Sequence, residues 1–232
     1  MSHMPQQTAS PGTRDSLTAR LLACGLVVGP LFVVVVLVQA VTREGFDLTY
    51  HPISLLSLGE RGWIQIADFV VAGLLCVAFA VGVRRMLGRG RGGTWGPRLI
   101  ALTGMGMIMA GVFTSDPGAG FPPGAPAGAP ASMSWHGILH EVGFAVVSLS
   151  WLAACFVLLR RFAALKRRAW VAACVLAPVA VVVLVAWPDL DGLSVRLVVA
   201  SAMQFEFLFA LAADLLRSRQ ERESRGAYSL GR

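Results

Sequence analysis

The sequence predicts an all-α fold: a polytopic membrane protein, a six-transmembrane-helix bundle with both termini cytoplasmic. Three observations carry that reading. Of the 232 residues 56% are hydrophobic and only 14% charged, too few to cover a water-soluble shell. The apolar residues gather in six runs close to the ~20 residues that cross a hydrocarbon core. The charges between those runs are one-sided. Seventeen of the 20 Lys and Arg fall with the termini and the connections after the second and fourth runs, leaving only Arg43, Arg61 and Arg196 opposite. Basic loops stay on the cytoplasmic side, which puts both termini in the cytoplasm. A net charge of +7 invites a nucleic-acid reading, but positive charge spread over short loops between apolar spans argues against that partner.

Taken in order, Met1-Ser2-His3-Met4 reads as an expression scar with Met4 the expected native start, and residues 1–19 form a polar, disordered cytoplasmic tail. The membrane domain covers 20–216. Its first span, 21–41, is too long for the apolar core of a signal peptide, and Gly29-Pro30 places a kink in it. Thr42 to Gly62 is polar, with Pro52 suited to the first turn of a short interfacial helix and Ser alternating with Leu after it. Trp63 anchors the second span, 64–83, which carries Asp68. The third, 99–114, holds Gly104, Gly106, Ala110 and Gly111, small residues that let neighbouring backbones approach and place this helix centrally. Pro117 to Met133 is a Pro/Gly/Ala segment expected to be extended or mobile, either as a lid or as a connector.

The fourth span, 135–159, opens on Ser134-Trp135-His136-Gly137-Ile138-Leu139-His140-Glu141. The fifth, 169–187, has no ionisable residue and reads as a peripheral, lipid-facing helix; an acidic turn with Asp189 and Asp191 follows it. The sixth, 197–216, holds Gln204 and Glu206, and 217–232 is a basic cytoplasmic tail. Cys24, Cys76, Cys155 and Cys174 lie inside the spans without CxxC spacing and read as buried structural thiols.

Ionisable groups within a bilayer mark a functional site by default. The topology gathers Asp68, Asp116, His136, His140 and Glu141 in the outer half, with His51 and Arg196 above them. Helix rise places Asp68 and His140 roughly 7–9 Å below the outer boundary and Glu206 about 14 Å below it. The inner half is nearly free of buried ionisable groups, so the pattern describes a cup open to the outside. Three readings stand. As a metal site, His136 and His140 would donate imidazole nitrogens and Asp116 an oxygen to a divalent ion such as zinc. As an acid–base site, the carboxylates Asp68, Asp116, Glu141 and Glu206 would move protons, with His51, Gln204 and Arg196 holding the substrate. As structural groups, the same side chains would bond between helices and set their register. Haem is disfavoured, because His136 and His140 share one helix face. Gln204 and Glu206 are about 200° apart on their helix, so only one can face the cup.

Tyr50-His51-Pro52-Ile53-Ser54, Thr114-Ser115-Asp116-Pro117 and His136-Gly137-Ile138-Leu139-His140 together resemble the motifs of the bacterial membrane family called domain of unknown function 998. The resemblance covers about residues 20–216 and implies a six-helix membrane fold without a settled activity. More distantly, the layout is similar to the DRAM-like membrane proteins of eukaryotes, linked to lipid and autophagy processes. The expected function is binding of a lipidic or isoprenoid small molecule, with metal-assisted or acid–base transformation of it, membrane lipids being the surrounding partner. A proton-coupled transporter or channel component and a non-catalytic scaffold are the alternatives, and no oligomeric state follows from the residues.

Overall fold

The computed structural model describes residues 11–130, 132–188 and 192–230. The predicted acidic turn at Asp189 and Asp191 and the chain before Pro11 lie outside the described residues. Six α-helices are present among the described residues and no strand: α1 Pro11–Thr42, α2 Gly62–Leu87, α3 Trp95–Val112, α4 Trp135–Ala164, α5 Arg168–Ala186 and α6 Leu193–Leu230. All but α3 are long and apolar enough to cross a membrane. α3 has 18 residues, opens on Trp95 and Arg98, and spends three positions on Gly104, Gly106 and Gly111, so its hydrophobic content is thin.

Each helix packs on the next in the chain, and α6 returns to α1, closing a ring in which α2 also touches α6. The close approaches are made by glycine. A Cβ built on Gly73 of α2 would sit 2.5 Å from the carbonyl oxygen of Gly104, and one on Gly104 would sit 2.5 Å from that of Gly73. Gly106 stands in the same relation to the backbone of Gly143 on α4, at 2.9 Å. Two helices that meet backbone to backbone gain dispersion contacts over their whole length, which is the main attraction left where lipid tails are as apolar as leucine. The small residues of α3 therefore hold it between α2 and α4. α5 is the outlying helix. It buries Cys174 and Val181 and leaves Leu176, Val179 and Val183 exposed. Cys76, Cys155 and Cys174 are buried and all four cysteines are free.

Several boundaries differ from the sequence reading. α1 begins at Pro11, a residue whose fixed φ suits a first helical turn, so residues 11–19 are helical where a disordered tail was expected. α6 likewise continues through the expected tail to Leu230, where Arg219 and Glu223 pair one turn apart. Pro30 lies inside α1. On the basic side, Arg167 at the start of α5 grips Asp214 of α6 with both guanidinium nitrogens, at 2.7 and 2.5 Å. That pairing holds the Arg167 guanidinium above its usual pKa, the hydrogen bond to Asp214 being the largest cause.

The opposite end is covered by two loops. The short helix expected after Pro52 is present as a 3-10 turn, Ile53–Ser57, which buries Leu55, Leu56 and Ser57 and packs on α1 and α2. Arg43 donates to the carbonyls of Leu56 (3.2 Å) and Leu58 (2.5 Å), binding the turn to α1. Burial, and then the neighbouring Arg61, lower the Arg43 pKa. The Pro/Gly/Ala segment is also folded, contrary to the expected extended or mobile connector. Ala119 N–H donates to the Gly128 carbonyl and Gly120 N–H to that of Pro126. Phe121, its one aromatic side chain, is buried at 1% exposure against Phe46 and His51. One fully buried aromatic ring stabilises a loop by a few kcal/mol, enough to order a segment otherwise poor in apolar groups.

Candidate functional site

Beneath this cover the ring encloses a cavity of about 230 Å³, lined from all six helices and the segment Pro52–Ser54. Its long axis follows α4. His140, Phe144, Val147 and Trp151 recur on one face, and the stretch from His140 to Trp151 spans about 16 Å at helical rise. α6 contributes a matching stripe from Leu197 to Leu208, and Phe32, Phe69 and Met107 close the far wall. Polar groups are few: His140, Glu141, Ser148, Thr103, Ser201, Gln204 and Ser54. Glu141, Phe144 and Val185 line the cavity and are also exposed on the outer surface of the bundle, so the cavity opens sideways between α4 and α5.

His140 is the best-oriented polar group in it. The side chain is buried at 4% exposure. Its Nδ1 lies 2.9 Å from the carbonyl oxygen of Ala110 and 3.0 Å from that of Phe113. Carbonyls only accept, so Nδ1 carries the proton, and in the neutral ring Nε2 is left as the acceptor. The last turn of α3 supplies these carbonyls because helix C-termini leave their final C=O groups without intrahelical partners. One imidazole thus closes the end of α3 and presents a lone pair toward an apolar slot.

The other predicted residues separate. His136, one turn before His140, is exposed and stacks on Trp135 with ring centroids 3.5 Å apart. Asp116 Oδ2 accepts the N–H of Ser134 at 2.8 Å, and Ser134 Oγ accepts that of Gly137 at 3.1 Å. The two side chains cap α4, where a negative charge complements the helix dipole, and a Cβ on Gly137 would run into the Asp116 carboxylate. His136, His140 and Asp116 are therefore engaged apart from one another, and among the described residues no three His, Cys, Asp or Glu side chains converge on a point that could hold a metal ion.

Of the α6 pair, Gln204 lines the cavity and Glu206 is exposed on the other face. Glu141 stands at the lateral mouth. His51 is buried beneath the outer loops with both nitrogens used: Nδ1 accepts the Asp47 N–H at 2.8 Å and Nε2 donates to the Ala119 carbonyl at 2.9 Å. It ties the α1–α2 connection to the α3–α4 loop. Thr49 bonds Asp47 through its hydroxyl and its N–H, and these bonds hold the Asp47 carboxyl below its usual pKa. Arg196 lies in the first turn of α6, outside the cavity lining. Asp68 is buried at the α1–α2 contact and is likewise not part of the lining.

Trp151 is a cavity residue that a search for ionisable groups does not single out. Its ring lines the inner end of the cavity, and its Nε1–H is buried without a hydrogen-bond partner. The available signal was spacing: Trp151 falls about three turns from His140 on the same face.

The sequence model of a family described as "Protein of unknown function (DUF998)" matches residues 26–213. The chain belongs to the DUF998 family. The match runs from α1 into α6 and takes in every residue of the cavity, so the slot is built wholly from the shared membrane domain. Neither the curated proteins nor the solved structures compared with this DUF998 protein gave a match.

Proposed function

We propose that this DUF998 protein takes one apolar chain of a lipidic amphiphile from the outer leaflet into the slot along α4, with His140 Nε2 accepting a hydrogen bond from the head group. The observation that carries this reading is the lining of the cavity: mostly apolar, following α4 from His140 to Trp151, bordered by exposed residues of α4 and α5, and furnished with one imidazole oriented by two carbonyls. At about 230 Å³ it is smaller than the roughly 300–1,000 Å³ of sites for drug-sized ligands, which suits a single chain and not a two-chain lipid as a whole. A chain already dissolved in the bilayer gains little by moving into an equally apolar slot. Selection must then come from the polar lining, and His140, Ser148, Ser201 and Gln204 supply both acceptors and donors for a hydroxyl. His140 Nε2 is also a base placed to remove a proton from such a group, with Glu141 beside it at the mouth; this is the acid–base chemistry the arrangement supports.

The reading takes α3 as a sixth crossing. Its contacts with α2 and α4, both long enough to span, support its crossing the same layer. Both termini then lie in the cytoplasm of a bacterium, as the 17-to-3 distribution of basic residues supports. Reporter fusions after Gly90 and at the C-terminus should report cytoplasm and one at Ala127 the outside; a cytoplasmic signal at Ala127 would put the cavity mouth in the wrong leaflet. The binding itself is tested with a photoactivatable long-chain alcohol on protein in mild detergent. Labelling should saturate and be competed by the unlabelled alcohol but not by an alkane of equal length. Equal competition by the alkane would remove the role given to the polar lining.

A further inference from the structure

A second buried polar cluster stands outside the cavity, at the contact between α1 and α2. Gln39 of α1 donates from Nε2 to Gln65 Oε1 of α2 at 2.7 Å. Asp68 follows Gln65 by one turn on the same face. The three side chains are 3%, 0% and 4% exposed. Four of their polar atoms make no hydrogen bond of good geometry, namely Gln39 Oε1, Gln65 Nε2 and both carboxylate oxygens of Asp68, although the Gln65 amide approaches the Asp68 carboxylate as a donor. Buried side chains with that many unmet atoms are rare in native proteins and ask for an explanation.

The balance of the unmet atoms is informative. Three are oxygens and one is an N–H. A water molecule could bridge some of them, but it would leave the Asp68 charge uncompensated in the membrane interior, where that costs several kcal/mol. No basic side chain is bonded to the carboxylate. Arg43, on the same helix as Gln39, is committed to the carbonyls of Leu56 and Leu58. It also lies about 10 Å along the axis from the level of Asp68, given that Gln39 pairs with Gln65 in an antiparallel contact. Carboxylate and amide oxygens are the ligands that hard cations prefer. The three side chains are almost wholly excluded from solvent, and so dry a setting strengthens such an interaction.

We propose that Gln39, Gln65 and Asp68 form a binding site for one small monovalent cation of the Na⁺ type, held by the Asp68 carboxylate and Gln39 Oε1, with Gln65 fixing the Gln39 amide. The ion links α1 to α2, so binding raises the stability of the folded chain in proportion to the logarithm of its concentration once the site is filling. The site is independent of the α4 slot.

The test uses the full-length protein in mild detergent at pH 8, with ionic strength held constant by choline chloride. Raising NaCl from 1 to 100 mM should raise the melting temperature by several degrees, and radioactive Na⁺ should bind saturably at one ion per chain. Asp68→Asn and Gln39→Leu should abolish both responses, while His140→Ala, in the other site, should keep them. If either variant fails to fold, the wild-type measurement still decides. A melting temperature that responds to pH but not to Na⁺ at pH 8 would mean that Asp68 holds a proton only, and would overturn the proposal. So would Na⁺ binding that survives Asp68→Asn.

Discussion

Replacing Gly104 with valine should remove the folded protein from detergent extracts, or lower its melting temperature by roughly 10 °C or more. The new Cβ would stand 2.5 Å from the Gly73 carbonyl oxygen and 2.9 Å from Cys76 Cβ. Overpacking a core typically costs about 1–3 kcal/mol, and more when the obstacle cannot rotate away. A backbone carbonyl in mid-helix cannot. For a chain of this size each kcal/mol is worth about 2–4 °C, and α2 must separate from α3 along the contact to make room. The matching change at Gly128, where a Cβ would meet nothing within 4 Å and the backbone is not in the left-handed region, should cost far less. Thermal melts with size-exclusion profiles of the two variants check this. Equal melting temperatures would mean that α2 and α3 are not in backbone contact.

The second large effect concerns binding. Ser201→Trp places an indole in the slot from the α6 side, and photolabelling by the long-chain alcohol should fall by about tenfold or more. Ser201 is half-buried and borders the cavity, so the larger side chain fills existing space and the melting temperature should change by no more than about 3 °C. Undiminished labelling would mean that the probe sits on the outer surface of the bundle. A fall in labelling matched by loss of the folded protein would withdraw Ser201 from the cavity wall.

The helices were legible in the sequence because a bilayer leaves few choices. Every backbone polar group must be satisfied within the segment, so a long apolar run is a helix. Their ends were less legible. Pro11 and the Arg/Glu-rich stretch after Leu216 are compatible with both helix and tail, and local composition does not choose between them. The Pro/Gly/Ala segment misled for another reason: the burial of Phe121 under Arg43 and His51 joins residues 70 or more positions apart.

The site was legible in part. The ~200° between Gln204 and Glu206 requires that one face inward, but which one depends on how α6 is turned against α1, where the approach of Phe205 to Gly29 decides it. His136 and His140 share a helix face by spacing, yet the carbonyls at the end of α3 bond the His140 ring and not that of His136. Asp116 carried the marks of a functional carboxylate and proves to cap α4. The polar pair Gln39–Gln65 went unremarked because neither residue is ionisable and they lie 26 positions apart.

The central claim is that one apolar chain lies along α4 between His140 and Trp151. It is tested most directly by mapping where the photoactivatable alcohol attaches, using a probe with its reactive group at the chain end and another with it beside the hydroxyl. The account predicts that the chain-end probe labels peptides around Trp151 and Leu208, and the head-group probe those around His140 and Glu141. Both probes labelling the exposed faces of α5, or the two patterns exchanged, would contradict it.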